Sequence, residues 1–220
     1  MSELANVAAL VADPTRARIL DELLAGPPMP ASALAARVGV APSTASGHLA
    51  KLERAGLITI TKRGRWREAE LARPEVAEAL EALSRLSTGE SRPIGLRAVN
   101  GHQALREARS CYDHLAGRAG VALADDLLAR GALGESDGAF FVPHGAEVHY
   151  REAFGIDLAA LPARRPLVRA CTDWTERRPH VAGALGAALL SSMLERGWLR
   201  RRPDGRALNV TAAGRANGLL

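Results

Sequence analysis

A chain of 220 residues, 47% hydrophobic and 24% charged, is ordinary globular material, long enough for one large core or two modest ones. No apolar run is long enough to span a bilayer, no charged start leads into an apolar stretch and two cysteines make no disulfide framework, so no membrane partner is expected and the chain is read as cytoplasmic. The net charge of +5 suits a polyanion, yet Met1 to Glu90 holds eleven Lys or Arg against eleven Asp or Glu, so affinity for one in that part has to come from local clustering.

In chain order, Asp13-Pro14 reads as a cap and first helical position, and Ile19, Leu20, Leu23 and Leu24 give the helix that follows an apolar stripe. Ser32 to Leu71 then carries the main functional signal. Leu34, Ala35 and Val38 mark one face of a helix, Gly39 suits the positive φ of a tight exit, and Pro42 opens a second helix whose Ala45, Leu49 and Leu52 turn inward. The other face of that helix, Pro42, Ser43, Thr44, Ser46, Gly47, His48 and Lys51, is short and polar. It leaves little bulk between backbone and duplex, as a helix lying in a major groove requires.

After Ala55-Gly56, Leu57 to Thr61 has the β-branched alternation of a strand. Lys62-Arg63-Gly64-Arg65 is expected to turn the chain into a return strand ending near Leu71. A charged turn standing alone would be read as solvated. Directly behind a helix-turn-helix pattern it reads as a wing, with Lys62, Arg63, Arg65 and Arg67 placed to meet phosphates.

These residues resemble the ArsR/SmtB winged-helix repressors, over the chain up to about Leu86. Leu10-Val11-Ala12-Asp13-Pro14-Thr15-Arg16-Ala17-Arg18-Ile19-Leu20 is similar to the family's opening segment. Ser43-Thr44-Ala45-Ser46-Gly47-His48-Leu49 with Leu52-Glu53-Arg54-Ala55-Gly56-Leu57-Ile58 resembles its recognition helix. The resemblance implies double-stranded DNA as partner and a homodimer built by terminal helices, hence a two-fold symmetric operator. It withholds the family's metal sites. Ser32-Ala33-Leu34-Ala35-Ala36-Arg37 stands where metal-sensing members carry a Cys-x-Cys box, and Pro74 to Leu86 has Glu75, Glu78 and Glu81 but no His. Gly47 also replaces a bulkier polar residue.

Pro74 opens a further helix with Val76, Ala79, Leu80, Leu83 and Leu86 along one side, either core packing or a surface for a second copy. Residues 87–93 break all periodicity and read as a linker between a winged helix-turn-helix domain at 1–86 and a second domain at 94–220.

The second domain contains an internal repeat, at about 105–154 and 165–220. Cys111-Tyr-Asp113-His114 with Gly117 and Gly120 precedes one helix, and Cys171-Thr-Asp173 with His180, Gly183 and Gly186 precedes another. Asp-Gly turns follow at Asp137-Gly138 and Asp204-Gly205. The expected fold is thus mainly α with small β-hairpins (α+β): an N-terminal winged helix followed by two degenerate winged-helix-like repeats.

Cys111, Asp113, His114, Cys171, Asp173 and His180 are the candidate sensor residues. Ligation of a metal ion or small molecule, a redox pair of thiols, and helix caps beside packed cysteines all remain readings of them, and no cofactor is required. Tyr112, Phe140, Phe141, Tyr150, Phe154, Trp174 and Trp198 are read first as core and second as a pocket lining; Arg200, Arg201, Arg202 and Arg206 are read as a basic hairpin.

The function expected is a dimeric repressor released from its operator by an effector or redox signal sensed in the second domain. The alternatives are a metal-assisted enzyme and a purely architectural dimerisation domain. No Gly-rich phosphate loop, Gly-x-Ser-x-Gly elbow or His-Glu-x-x-His element supports an enzyme.

Overall fold

The computed structural model describes residues 2–25, 28–86, 103–202 and 205–220. It falls into two compact units, Met1–Ser84 and Arg85–Leu220. The expected linker at 87–93 lies outside the described residues, as does Asp204 of the second Asp-Gly turn.

In the first unit α1 (Glu3–Val11), α2 (Pro14–Ala25), β1 (Met29–Pro30), α3 (Ala31–Val38), α4 (Pro42–Arg54), β2 (Ile58–Arg63), β3 (Trp66–Leu71) and α5 (Pro74–Leu86) follow one another. The Asp13 carboxylate accepts the Arg16 backbone N–H at 2.9 Å and so starts α2, whose Ile19, Leu20, Leu23 and Leu24 are buried. Gly39, at φ +73°, donates its N–H to Ala35 and ends α3. Leu34, Val38, Ala45, Leu49 and Leu52 close the core between α3 and α4, against an antiparallel sheet of order β1-β3-β2.

Three details depart from the sequence reading. The basic turn is shorter than expected: Arg63 pairs with Trp66, so only Gly64 and Arg65 turn, because Gly64 at φ +60° allows a two-residue closure. Helix α1 was not anticipated. It buries none of its residues and leaves Leu4 and Val7 exposed, so no core demand marks it in the sequence. In α5, Val76 is buried and Leu80 half-buried, but Ala79, Leu83 and Leu86 are exposed.

The second unit runs β4 (Arg109–Cys111), β5 (His114–Ala116), α6 (Arg118–Ala129), β6 (Gly134–Ser136), β7 (Ala139–Phe141), α7 (Glu147–Phe154), a 3-10 turn (Leu158–Ala160), β8 (Arg169–Thr172), β9 (Pro179–Ala182), α8 (Gly183–Glu195), β10 (Leu199–Arg201), β11 (Leu208–Val210) and α9 (Ala212–Ala216). Each of α6 and α8 therefore lies between two hairpins. They exchange partners: α6 packs on β9 and α8 on β5, around a core that includes Leu115, Leu127, Tyr150, Val181, Leu185, Leu189 and Met193.

The leading hairpins correct the expectation of a plain helix-plus-wing. Their strands are three or four residues long, too short for alternation to show, and the first turns through Tyr112 at φ +58° without a glycine. Phe141 is not core: it lies 47% exposed with its ring across Gly134, its partner in the β6–β7 pair, while Phe140 is buried. Arg206 is buried rather than part of an exposed basic hairpin, whereas Arg200, Arg201 and Arg202 are exposed.

Candidate functional sites

Helix α4 turns Ala45, Leu49 and Leu52 inward and thereby turns Pro42, Ser43, Thr44, Ser46, Gly47 and Lys51 outward, all exposed. The Ser46 hydroxyl donates to the Pro42 carbonyl at 2.9 Å. A Cβ at Gly47 would meet nothing within 4 Å, so the middle of this face is open. His48 departs from the expected position at the base edges. Its side chain is only 16% exposed, with Nδ1 3.7 Å from an Asp13 carboxylate oxygen. The Asp13 pKa lies below the ordinary carboxylate value, first because of the Arg16 N–H and further because of Arg16 and His48 charge.

On the β2–β3 hairpin Lys62, Arg63, Arg65 and Arg67 are all exposed. Lys62 stands directly opposite Arg67, a like-charge pairing that disfavours the free hairpin and is relieved by an anion. Arg63 is partly answered by Glu68 at 3.7 Å and Glu70 at 3.9 Å. Arg65 lies with its guanidinium 5.1 Å from the centre of the Trp66 ring. Trp66 was missed by sequence reasoning, since a lone aromatic in a strand is ordinarily core.

The second constellation is buried apart from Cys171, which is half-buried. Cys111 faces His114 across the β4–β5 pair, and Cys171 faces His180 across β8–β9. One donor atom from each of these four side chains lies within 4.8 Å of all the others, and neither cysteine is in a disulfide. The two imidazoles are 5.1 Å apart and tilted by 30°. Close packing at two glycines makes this possible: a Cβ on Gly120 would fall 2.5 Å from the Leu115 carbonyl oxygen and 3.5 Å from His180 Cβ, and one on Gly186 2.5 Å from the Val181 carbonyl oxygen and 3.1 Å from His114 Cβ.

Asp113 and Asp173, also candidates, are not among the converging donors. Asp113 pairs with Arg165 at 2.5 Å and accepts from His114 Nδ1 at 3.2 Å. Asp173 is wholly buried, salt-bridged to the equally buried Arg109 at 2.9 Å. It also accepts backbone N–H groups of Gly117, Thr175 and Glu176. Burial raises the Asp173 pKa, but Arg109 and these donors hold it far below the usual carboxylate range.

Proximity to Cys111, then to His114 and His180, holds the Cys171 thiol well below its ordinary pKa despite burial. Burial pushes His114 down, yet Asp113 and Cys171 leave its pKa raised. Arg109, stacked 4.9 Å over Trp174, was invisible in the sequence among so many arginines. Only the recurring Cys-x-Asp ahead of His could have pointed to its partner.

Residues 11–61 match a helix-turn-helix domain family. An uncharacterized HTH-type transcriptional regulator, YdfF of Bacillus subtilis, is 38% identical over 212 residues, covering 96% of this chain and 93% of its own. The HTH-type transcriptional regulator CmtR of Mycobacterium tuberculosis is 43% identical over 82 residues, 37% of this chain and 69% of its own. Its solved structure, described as a cadmium metal-sensor, is 38% identical, with a TM-score of 0.32 over 39% of this chain and 84% of that one. With a relative matched along nearly its whole length, the chain belongs to the HTH-type transcriptional regulators, as its resemblance to the ArsR/SmtB repressors implied, and is itself a DNA-binding transcriptional regulator.

Proposed function

We propose that the protein is a homodimeric repressor that reads its operator with α4, grips flanking phosphates with the β2–β3 wing and is released by a signal received in the second unit. The observation that carries the reading is the open polar face Ser43 to Lys51 standing beside a hairpin where Lys62 opposes Arg67. Hydroxyl groups on an unobstructed helix can reach base edges, while cations on a hairpin tip add affinity independent of sequence. Dimerisation through α1 and α5 is supported by Leu4, Val7, Leu83 and Leu86, apolar side chains that stay exposed on these two helices. Two reading helices would then meet successive major grooves.

The two hairpin-flanked helices of the second unit read as copies of one unit, and the Cys111, His114, Cys171 and His180 constellation between them as its receiving element. Similarity to a Bacillus transcriptional regulator over 93% of that relative's length favours this over an enzyme fused to a winged helix.

The test is a duplex-binding series by fluorescence anisotropy, with sites selected from random sequence. Ser43→Ala or Thr44→Ala should relax sequence preference, costing about 1 to 3 kcal/mol wherever a hydroxyl no longer meets its base, and Arg65→Ala should weaken all duplexes alike. Sequence preference unchanged in the α4 variants, or altered by Arg65→Ala alone, would overturn the assignment.

A further inference from the structure

We infer that Cys111, His114, Cys171 and His180 bind one divalent transition ion of the zinc class in a closed, four-coordinate S2N2 site. Each hairpin contributes one sulfur and one imidazole from directly paired positions, so the donor set comes from two places in the chain related by the same local geometry. A tetrahedral ion with bonds of about 2.0 to 2.3 Å needs donors roughly 3.3 to 3.8 Å apart. The observed mutual distances, all within 4.8 Å, require only a small contraction.

Three further observations point to a ligand. His114 is 5% exposed and His180 fully buried, and neither His114 Nε2 nor either ring nitrogen of His180 has a hydrogen-bond partner. Such buried polar atoms are costly to leave unanswered, and an ion answers one on each ring. Asp113 sits 3.2 Å from His114 Nδ1, and Asp173 sits 3.7 Å from His180 Nδ1. Asp113 thus lies behind His114 in the arrangement that orients a ligating imidazole with Nε2 towards a metal, while Asp173 lies on the Nδ1 side of His180 beyond hydrogen-bond distance.

Charge balances as well. Asp113 and Asp173 are matched by Arg165 and Arg109, so they are not needed as ligands. When a dication enters, both cysteines bind as thiolates and both histidines as neutral imidazoles, whatever protons they carried being released, and the resulting site of two thiolates, two neutral imidazoles and one dication is neutral, as burial demands. Sulfur and imidazole donors without oxygen exclude the magnesium and calcium class. Four protein ligands leave no open position, so the ion clamps the β4–β5 hairpin to β8–β9 and activates no water.

The test uses the full chain, stripped with chelator and kept reduced, titrated with Co(II) and then Zn(II). The expected result is one Co(II) per chain with the intense visible bands of tetrahedral coordination and a thiolate charge-transfer band, all displaced by Zn(II). Cys171→Ser, at the more accessible of the two cysteines, removes one of the two thiolates and should lower the charge-transfer band to about half or less and shift the visible bands. Asp113→Asn should weaken Zn(II) affinity by about 10- to 100-fold while leaving the Co(II) spectrum tetrahedral.

Uptake below one equivalent in the reduced wild-type chain, an octahedral spectrum, or a spectrum indifferent to Cys171→Ser would overturn the site and leave the cysteines as a thiol pair. The stoichiometry and spectrum of the wild-type chain decide the matter even if a variant fails to fold. Duplex binding, measured on the same samples, reports separately on the regulator reading.

Discussion

Arg67 and Arg63 both sit on the wing, but the structure gives them different freedom. Arg67 stands opposite another cation, Lys62, across the strand pair, whereas Arg63 has Glu68 and Glu70 within 4 Å. A cation that neutralises one phosphate contributes about 0.9 to the slope of log affinity against log salt. With two wings on one operator, Arg67→Ala should therefore lower the slope by about 1.8, so that the wild-type advantage shrinks roughly twelvefold between 50 and 200 mM salt.

Arg63→Ala should change the slope by clearly less, because its charge is already shared with two carboxylates. Anisotropy titrations at four or more salt concentrations, on one specific and one scrambled duplex, give both slopes. Equal slope changes for the two variants, or an Arg67→Ala effect confined to the specific duplex, would refute the argument that unanswered charge on the wing carries the electrostatic affinity.

Gly47→Ala separates stability from recognition at one position. The added methyl meets no atom in the folded unit, so α4 should gain about 0.5 to 1 kcal/mol, read as a higher melting temperature, while operator affinity falls because the methyl occupies space next to the bases. Asp173→Asn leaves the Arg109 guanidinium buried without its counter-charge and should cost about 3 to 5 kcal/mol in chemical denaturation of the second unit.

The same pair predicts the pH response. The folded Asp173 pKa lies below the unfolded 3.8, so its contribution is complete above that value and disappears as pH falls through the folded one. Acid unfolding followed by tryptophan fluorescence should accordingly begin at higher pH in Asp173→Asn. Leu83→Glu together with Leu4→Glu should convert a dimer to a monomer in sedimentation velocity, with the far-ultraviolet circular dichroism unchanged, because both side chains are exposed in the single chain.

Much of the first unit was legible because its rules are local. Apolar residues at helical spacing put Leu34, Val38, Ala45, Leu49 and Leu52 inside, Asp13 and Gly39 mark helix ends by their own backbone chemistry, and the polar face of α4 follows as the complement of its buried one. The wing strands were legible for the same reason, apart from a turn two residues tighter than expected. The approach of His48 to Asp13 was not legible, because Asp13 lies outside α4 and no pattern within that helix encodes their meeting.

The second unit divides differently. Its sequence by itself determined that Cys-x-Asp and a later histidine recur and that glycines flank each helix, because those are identities and spacings along the chain. Only the tertiary structure decided which of these groups meet. Cross-strand register set each cysteine opposite its histidine, and glycine-permitted approaches brought α6 to β9 and α8 to β5. The aspartates were drawn to Arg109 and Arg165 rather than into the cluster. Long-range pairing and burial depend on residues far apart in the chain, and a short strand carries too few side chains to announce its partner.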